Sequence, residues 1–199
     1  RNCAYDQWSV GKTVILQKDL SLEGMLWEPI PSFSGQFKGN GHTISDLTIT
    51  GQYSPAGLFG IVEEQGSIES LSVRGIVSVS DSADTTTGGI VGVNHGTLIN
   101  CQFTGVVTGD SEVGGIVGRN ESEGTIDHST ARAIVTGKSS TGGIAGYNLG
   151  AITGCTNVGS INTEYPEASL DTDGFTAKMV DYINNKMAAA DNDATNSVT

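Results

Sequence analysis

Aromatic side chains are scarce in these 199 residues, which hold two tryptophans, five tyrosines and five phenylalanines. So few large rings exclude a core built on aromatic packing, and they leave little from which to build sugar-stacking platforms. Positive charge is scarce as well. Ten Lys and Arg stand against 22 Asp and Glu, for a net charge of −12. That balance excludes nucleic acid and anionic membrane surfaces as partners, because both require clustered cations. No apolar run approaches the roughly 18 residues of a membrane span, so no membrane insertion is expected within this stretch. The three cysteines, Cys3, Cys101 and Cys155, show no C-x-x-C spacing. Neither a disulfide framework nor a zinc site follows from them, and they read as small buried hydrophobes. Arg1 reads as the start of an excised or processed fragment, with any signal peptide or anchor outside it.

What the chain does have is glycine, 28 residues of it, with 37% hydrophobic residues. The glycines are placed periodically. GGIVG at 88–92 recurs at 114–118 and, as GGIAG, at 142–146; a degenerate AGLFG occupies 56–60. A second segment follows each copy. Ile68, Leu98, Ile126 and Ile152 align in one column, and Leu71, Cys101, Ser129 and Cys155 in the next. Val73, Phe103, Ala131 and Asn157 follow, and Val77, Val107, Val135 and Ile161 close the set. The last three columns are evenly spaced, as the inward face of a strand requires. A small column, Gly75, Gly105, Ala133 and Gly159, lies among them and predicts a bend or a close backbone approach.

A repeat of this length without amphipathic helices predicts an all-β fold, a β-solenoid (β-helix) of about four to five coils, each of two or three short strands. Gly89, Gly115 and Gly143 then mark coil corners. Asn94, Asn120 and Asn148 share one column and would form an amide ladder between coils. Asn120-Glu121-Ser122 is formally a glycosylation sequon, but the ladder explains Asn120 better. Narrow coils leave no interior room for rows of Trp or Phe.

Three segments follow. Residues 1–56 read as an N-terminal cap and first coil, with Val14, Leu16, Leu20 and Leu22 alternating as one strand. Residues 57–162 are the repeats. In 163–199, an acidic segment, Phe175, Met179, Ile183 and Met187 recur every four residues and predict one amphipathic α-helix, packed on the solenoid, before a polar tail.

The motifs GGIVG-x-N and G-x-I-x-x-C, with W-x-P-I at 27–30, F-x-G-x-F-x-G-N-G-H-x-I at 33–44 and GLFG at 57–60, resemble the GLUG-motif repeat proteins over roughly residues 10–162. Pro31 and Lys38 depart from the pattern. The resemblance implies a right-handed β-helix outside the cell, at the surface of a bacterium, often within large adhesin-like proteins. Similar repeats occur in the non-catalytic parts of immunoglobulin-A1-cleaving metallopeptidases. The motif carries no catalytic residue.

Motifs for chemistry fail individually. Gly11-Lys12-Thr13 and Gly137-Lys138-Ser139 lack the first glycine of a phosphate loop. Asp171, Asp173 and Gly174 lack the closing Glu of a calcium loop. His42, His95 and His128 have no metal spacing, and there is no G-x-S-x-G elbow. Asp81, Asp84, Asp110 and Glu112 fall in the connectors before GGIVG, and read as one solvated acidic edge. The expectation is a non-catalytic monomer without cofactor or metal. Its role would be adhesion or a stalk, with a host or matrix protein or a glycan as partner. The alternatives are an accessory, substrate-positioning domain of a secreted immunoglobulin-A1-type metallopeptidase and a glycan-active β-helix.

Overall fold

A computed structural model describes residues 8–79 and 85–162. Cys3, Asp81, Asp84 and the helix expected after residue 170 lie outside the described residues. Every described strand is short and every pairing is parallel, so the chain must climb one rung per circuit. Two strands precede the coils: β1 (Thr13–Ile15) and β2 (Leu20–Ser21). Coil 1 holds β3 (Ile30–Phe33), β4 (Gln36–Lys38) and β5 (Thr43–Gly51). Coil 2 holds β6 (Phe59–Val62), β7 (Ser67–Glu69) and β8 (Ser72–Val79). Coil 3 has four strands: β9 (Thr86–Gly88), β10 (Val91–Asn94), β11 (Thr97–Ile99) and β12 (Gln102–Thr108). Coil 4 repeats them as β13 (Glu112–Gly114), β14 (Val117–Asn120), β15 (Thr125–Asp127) and β16 (Thr130–Thr136). Coil 5 ends the described stack with β17 (Ser140–Gly142), β18 (Ala145–Asn148), β19 (Ala151–Thr153), β20 (Thr156–Asn157) and β21 (Ser160–Ile161).

The architecture is thus a β-solenoid of five coils with four parallel sheets as walls. One wall runs β1-β4-β7-β11-β15-β19 and the next runs β2-β5-β8-β12-β16-β20, with β21 beside β16. A third runs β3-β6-β10-β14-β18, and the shortest is β9-β13-β17. Coils 3 to 5 have four strands or more rather than the two or three expected. The reason is the glycine pair, which breaks GGIVG between two walls: Gly88 ends β9 and Val91 begins β10. The segment from Val14 to Leu22 is likewise two strands, not one. β1 and β2 join different walls, and the alternation fails at Leu20, which is exposed while Leu22 is buried.

The aligned columns are the register of the sheets. Leu98 pairs with Ile68 below and Ile126 above. Phe103 lies between Val73 and Ala131, and Val107 between Val77 and Val135. All of these side chains are fully buried and form one continuous core. The small column allows a tight bend. Gly105 has φ +150° and pairs with Gly75, and Leu47 of coil 1 occupies the space under Gly75 that a side chain there would need. Coil 1 reaches that register through a β-bulge between Ile44 and Leu47, where Asp46 takes φ +61°.

The interior is less uniformly small than expected. Phe33, Phe37 and Phe59 pack together with Trp8 at the N-terminal end, with ring centroids 5.2–6.4 Å apart. Three phenylalanines fit because they come from three strands on two walls, Phe33 and Phe37 in coil 1 and Phe59 in coil 2, and meet tilted or edge-on instead of stacking in one file.

Two substitutions test this packing. Thr87 Oγ1 is buried without a hydrogen-bond partner, and its column neighbours are Ala56 and Val113. Thr87→Val is expected to raise unfolding free energy by about 1 kcal/mol, since it removes a polar atom buried without compensation. Gly115 faces the Gly143 carbonyl, and an added Cβ would lie 2.9 Å from that of Ala131. Gly115→Ala is expected to cost about 1–3 kcal/mol. Urea unfolding followed by far-ultraviolet circular dichroism measures both.

Candidate functional site

Asn94, Asn120 and Asn148 are brought into one file by the register of β10, β14 and β18. Asn94 Nδ2 donates to Asn120 Oδ1 at 2.8 Å, and Asn120 Nδ2 donates to Asn148 Oδ1 at 2.8 Å. The second amide proton of each closes its own corner, on the carbonyls of Gly96, Gly124 and Gly150. Asn94 and Asn120 are fully buried. An amide can enter a dry core only with its donors and acceptor satisfied, and identical neighbours at one-rung spacing satisfy them. The Asn120 sequon is therefore closed in the folded chain, because its nitrogen is buried and both protons are committed. Below Asn94 the file continues as Val62 and Phe33, so the ladder begins on an apolar floor.

A second polar file was not legible as such. The Cys101 backbone N–H donates to Ser129 Oγ at 3.1 Å, and the Ser129 N–H to Cys155 Sγ at 3.4 Å. Ser129 Oγ donates in turn to the Asp127 carbonyl at 3.0 Å, while each thiol lies 3.4 Å from two carbonyls that can take its one proton, Ile68 and Ile99 for Cys101, Ile126 and Thr153 for Cys155. The two cysteines are therefore more than small hydrophobes. They are free thiols that serve as weak hydrogen-bonding groups, interchangeable in this column with serine. Burial pushes the Cys101 thiol up to about 11 and raises that of Cys155. Neither is poised as a nucleophile.

The corner between the β11 and β12 walls forms a column of left-handed residues: Ser70, Asn100, His128 and Gly154, with φ of 52°, 53°, 45° and 62°. His128 stands there at the surface with Nδ1 2.8 Å from Asp127. His42 lies 3.2 Å from Asp19, one rung away. Among the described residues, no three His, Cys, Asp or Glu side chains are placed to hold a metal ion.

The two described members of the expected acidic edge, Asp110 and Glu112, are not free carboxylates, which corrects the expectation for them. Glu112 lies on β13 rather than in a connector. It accepts from Thr86 Oγ1 at 3.1 Å and from Arg119 Nη1 at 2.8 Å, while Arg119 Nε donates to Glu121 at 2.7 Å. The Arg119 guanidinium sits 4.8 Å from the ring centroid of Tyr147. Burial opposes the Arg119 charge, but the hydrogen bonds and fields of Glu121 and Glu112 outweigh it and hold its pKa above the ordinary value. Asp110 is nearly buried and pairs with Lys138. This edge thus binds coils 3, 4 and 5 to one another. On the opposite wall, Lys38, Glu69, Ile99, Asp127 and Thr153 share an outer column. Ile99 separates the two carboxylates, so they stand two rungs apart, roughly 9.6 Å at the usual strand spacing.

The class defined by this geometry is the parallel β-solenoid with an internal amide ladder. Within that class the chain carries the GLUG motif: the motif's family model matches residues 109–136, which contain coil 4. The chain is 35% identical over 117 residues to Halomucin of Haloquadratum walsbyi, a match covering 55% of this chain and 1% of that protein. It is 30% identical over 137 residues to a provisionally named Gly-rich membrane protein of Evansella cellulosilytica, covering 50% of this chain and 16% of that one. The chain thus spans only a small part of the curated relatives it matches. A solved structure of a provisionally assigned immunoglobulin A1 protease from Bacteroides ovatus is similar at 17% identity, with TM-score 0.49, over 81% of this chain and 74% of that one.

Asn120→Leu is expected to lower stability by about 2–3 kcal/mol in urea unfolding, since Asn94 and the Gly124 carbonyl lose a partner in a dry site. Acid provides a second test. The hydroxyls of Ser21 and then Ser45 hold the Asp46 carboxyl below its ordinary range. A depressed folded pKa contributes stability that is present above the unfolded value near 3.9 and lost as pH falls through the folded one. Asp46→Asn should therefore cost less than about 1 kcal/mol at pH 7, the group being solvent-screened, and nothing in strong acid. Urea midpoints across pH 2–7 measure the difference.

Proposed function

We propose that this chain is a non-catalytic, extracellular β-solenoid module of a cell-surface protein, with an adhesive or stalk role. The observation that carries this reading is the unbroken parallel register from β4 to β19. It turns five coils into one stiff body with an outer column, Gln36, Ser67, Thr97 and Thr125, that is polar through coil 4 and ends at Ala151. A rod of this kind acts by geometry. Spaced side chains on a rigid wall meet a partner without first losing conformational entropy, which favours broad contact with a repetitive protein or glycan surface. The names of the two sequence relatives, a halomucin and a membrane protein, support a surface location, and neither name is that of an enzyme. We take the winding as right-handed, the sense adopted by about 98% of parallel crossovers.

Five described carboxylates of the repeats support the non-catalytic reading. Glu112 and Glu121 are bound to Arg119, Asp110 is bound to Lys138, and Glu69 and Asp127 are separated by Ile99 on an open wall. Acid–base cleavage of a glycan needs two carboxyl groups facing one enclosed bond.

The test is binding of the purified chain to immobilised matrix proteins and a glycan array, with parallel assays for new reducing ends and peptide cleavage. Saturable binding without turnover is expected, weakened at least about tenfold by Thr97→Glu combined with Thr125→Glu, which place charge on the wall. Turnover by the purified chain would overturn the reading.

A further inference from the structure

We propose that the upper face of coil 5, which no other described coil covers, is a strand-addition surface that accepts one further parallel β-coil from another chain of the same repeat pattern. This is independent of whether the outer walls are adhesive. In its asparagine and aliphatic columns the face repeats the one that coils 3 and 4 present to the coil above them. Ile126 and Val135 are 0% exposed because Ile152 and Ile161 lie over them; Ile152 and Ile161 themselves are 37% and 41% exposed. Asn148 and Asn157 are exposed as well, above the buried Asn120 and Ala131.

Both polar files are directional, and both point out of this face. Asn94 and Asn120 each give one amide proton to the next asparagine up the stack. Asn148 gives one proton to the Gly150 carbonyl, and the geometry of the rungs below directs the other away from coil 4. In the cysteine file, each backbone N–H donates to the side chain one rung higher. The Cys155 N–H is therefore set to meet a serine or cysteine of an added coil.

These features specify the occupant. It must present a small residue over Gly143, an asparagine over Asn148, a serine or cysteine over Cys155, and aliphatic side chains over Ile152 and Ile161. That is the pattern of residues 137–162 themselves, paired by strand addition to an open sheet edge. The N-terminal coils of a second copy do not meet it, because Phe33 and Val62 hold the asparagine column there and cannot accept a proton. The surface therefore selects a repeat-type coil and discriminates against head-to-tail stacking of identical copies.

The test uses the full chain carrying Cys3→Ser, and the rate at which a thiol reagent labels Cys155. Cys101 serves as a buried reference. The probe is a synthetic peptide with the sequence of residues 137–162 carrying Cys155→Ser. At saturation it should slow Cys155 labelling at least about tenfold, and the same peptide with Asn148→Leu should give little or no protection. Three results would overturn the proposal: an unchanged rate with the first peptide, equal protection by both, or Cys155 as slow as Cys101 before any peptide is added.

Discussion

Everything in this protein depends on the parallel hydrogen bonding that holds equivalent residues of successive coils one strand spacing apart. At that distance a side chain's main neighbour is its own counterpart. Each column must therefore suit itself, and the composition follows. Aliphatic residues repeat inside, hydroxyls repeat outside, and glycine occupies corners where the next rung's carbonyl leaves no room, as at Gly115 beneath Gly143. Asparagine satisfies the same rule by another route. Its amide is both donor and acceptor, so a file of asparagines can pair with itself in a core that would reject most other polar groups.

The rule relaxes toward the N-terminal end. There the columns change identity from rung to rung: Phe33, then Val62, then Asn94. Phe33, Phe37, Phe59 and Trp8 fill the lowest coils by interlocking rather than by stacking like on like. Coil 1 keeps pace through a bulge where later coils use glycine or alanine. An aromatic end and an amide end give the stack a polarity, and this makes its two faces different surfaces for association.

Charge follows the same logic. The excess of acid over base first suggests a repulsive, solvated edge. Instead, one arginine gathers Glu112 and Glu121 and lies over a tyrosine of the next coil, while Lys138 holds Asp110. Arg119 thus pairs with its two carboxylates inside coil 4 and reaches coil 5 only through Tyr147, while Lys138 and Asp110 join successive connectors.

The columns were legible in the sequence because coil identity is written as spacing, and spacing survives substitution. Ile68, Leu98, Ile126 and Ile152 align by counting alone, and so do the three asparagines. Contacts between unlike residues far apart in the chain were not legible. Neither Arg119 over Tyr147 nor the interlocked phenylalanines has a periodic signature, and the column of Cys101, Ser129 and Cys155 could be counted without showing that it is hydrogen-bonded. The splitting of GGIVG between two walls was hidden as well, because a glycine pair is compatible with either a straight strand or a corner. By itself, then, the sequence determined the repeat, the inward faces and the ladder positions, since those are local and recurrent. Only the tertiary structure decided the number of walls, the pairing of the charges and the directional face that coil 5 presents at the end of the described stack. Those depend on which unlike side chains the winding brings within reach of one another.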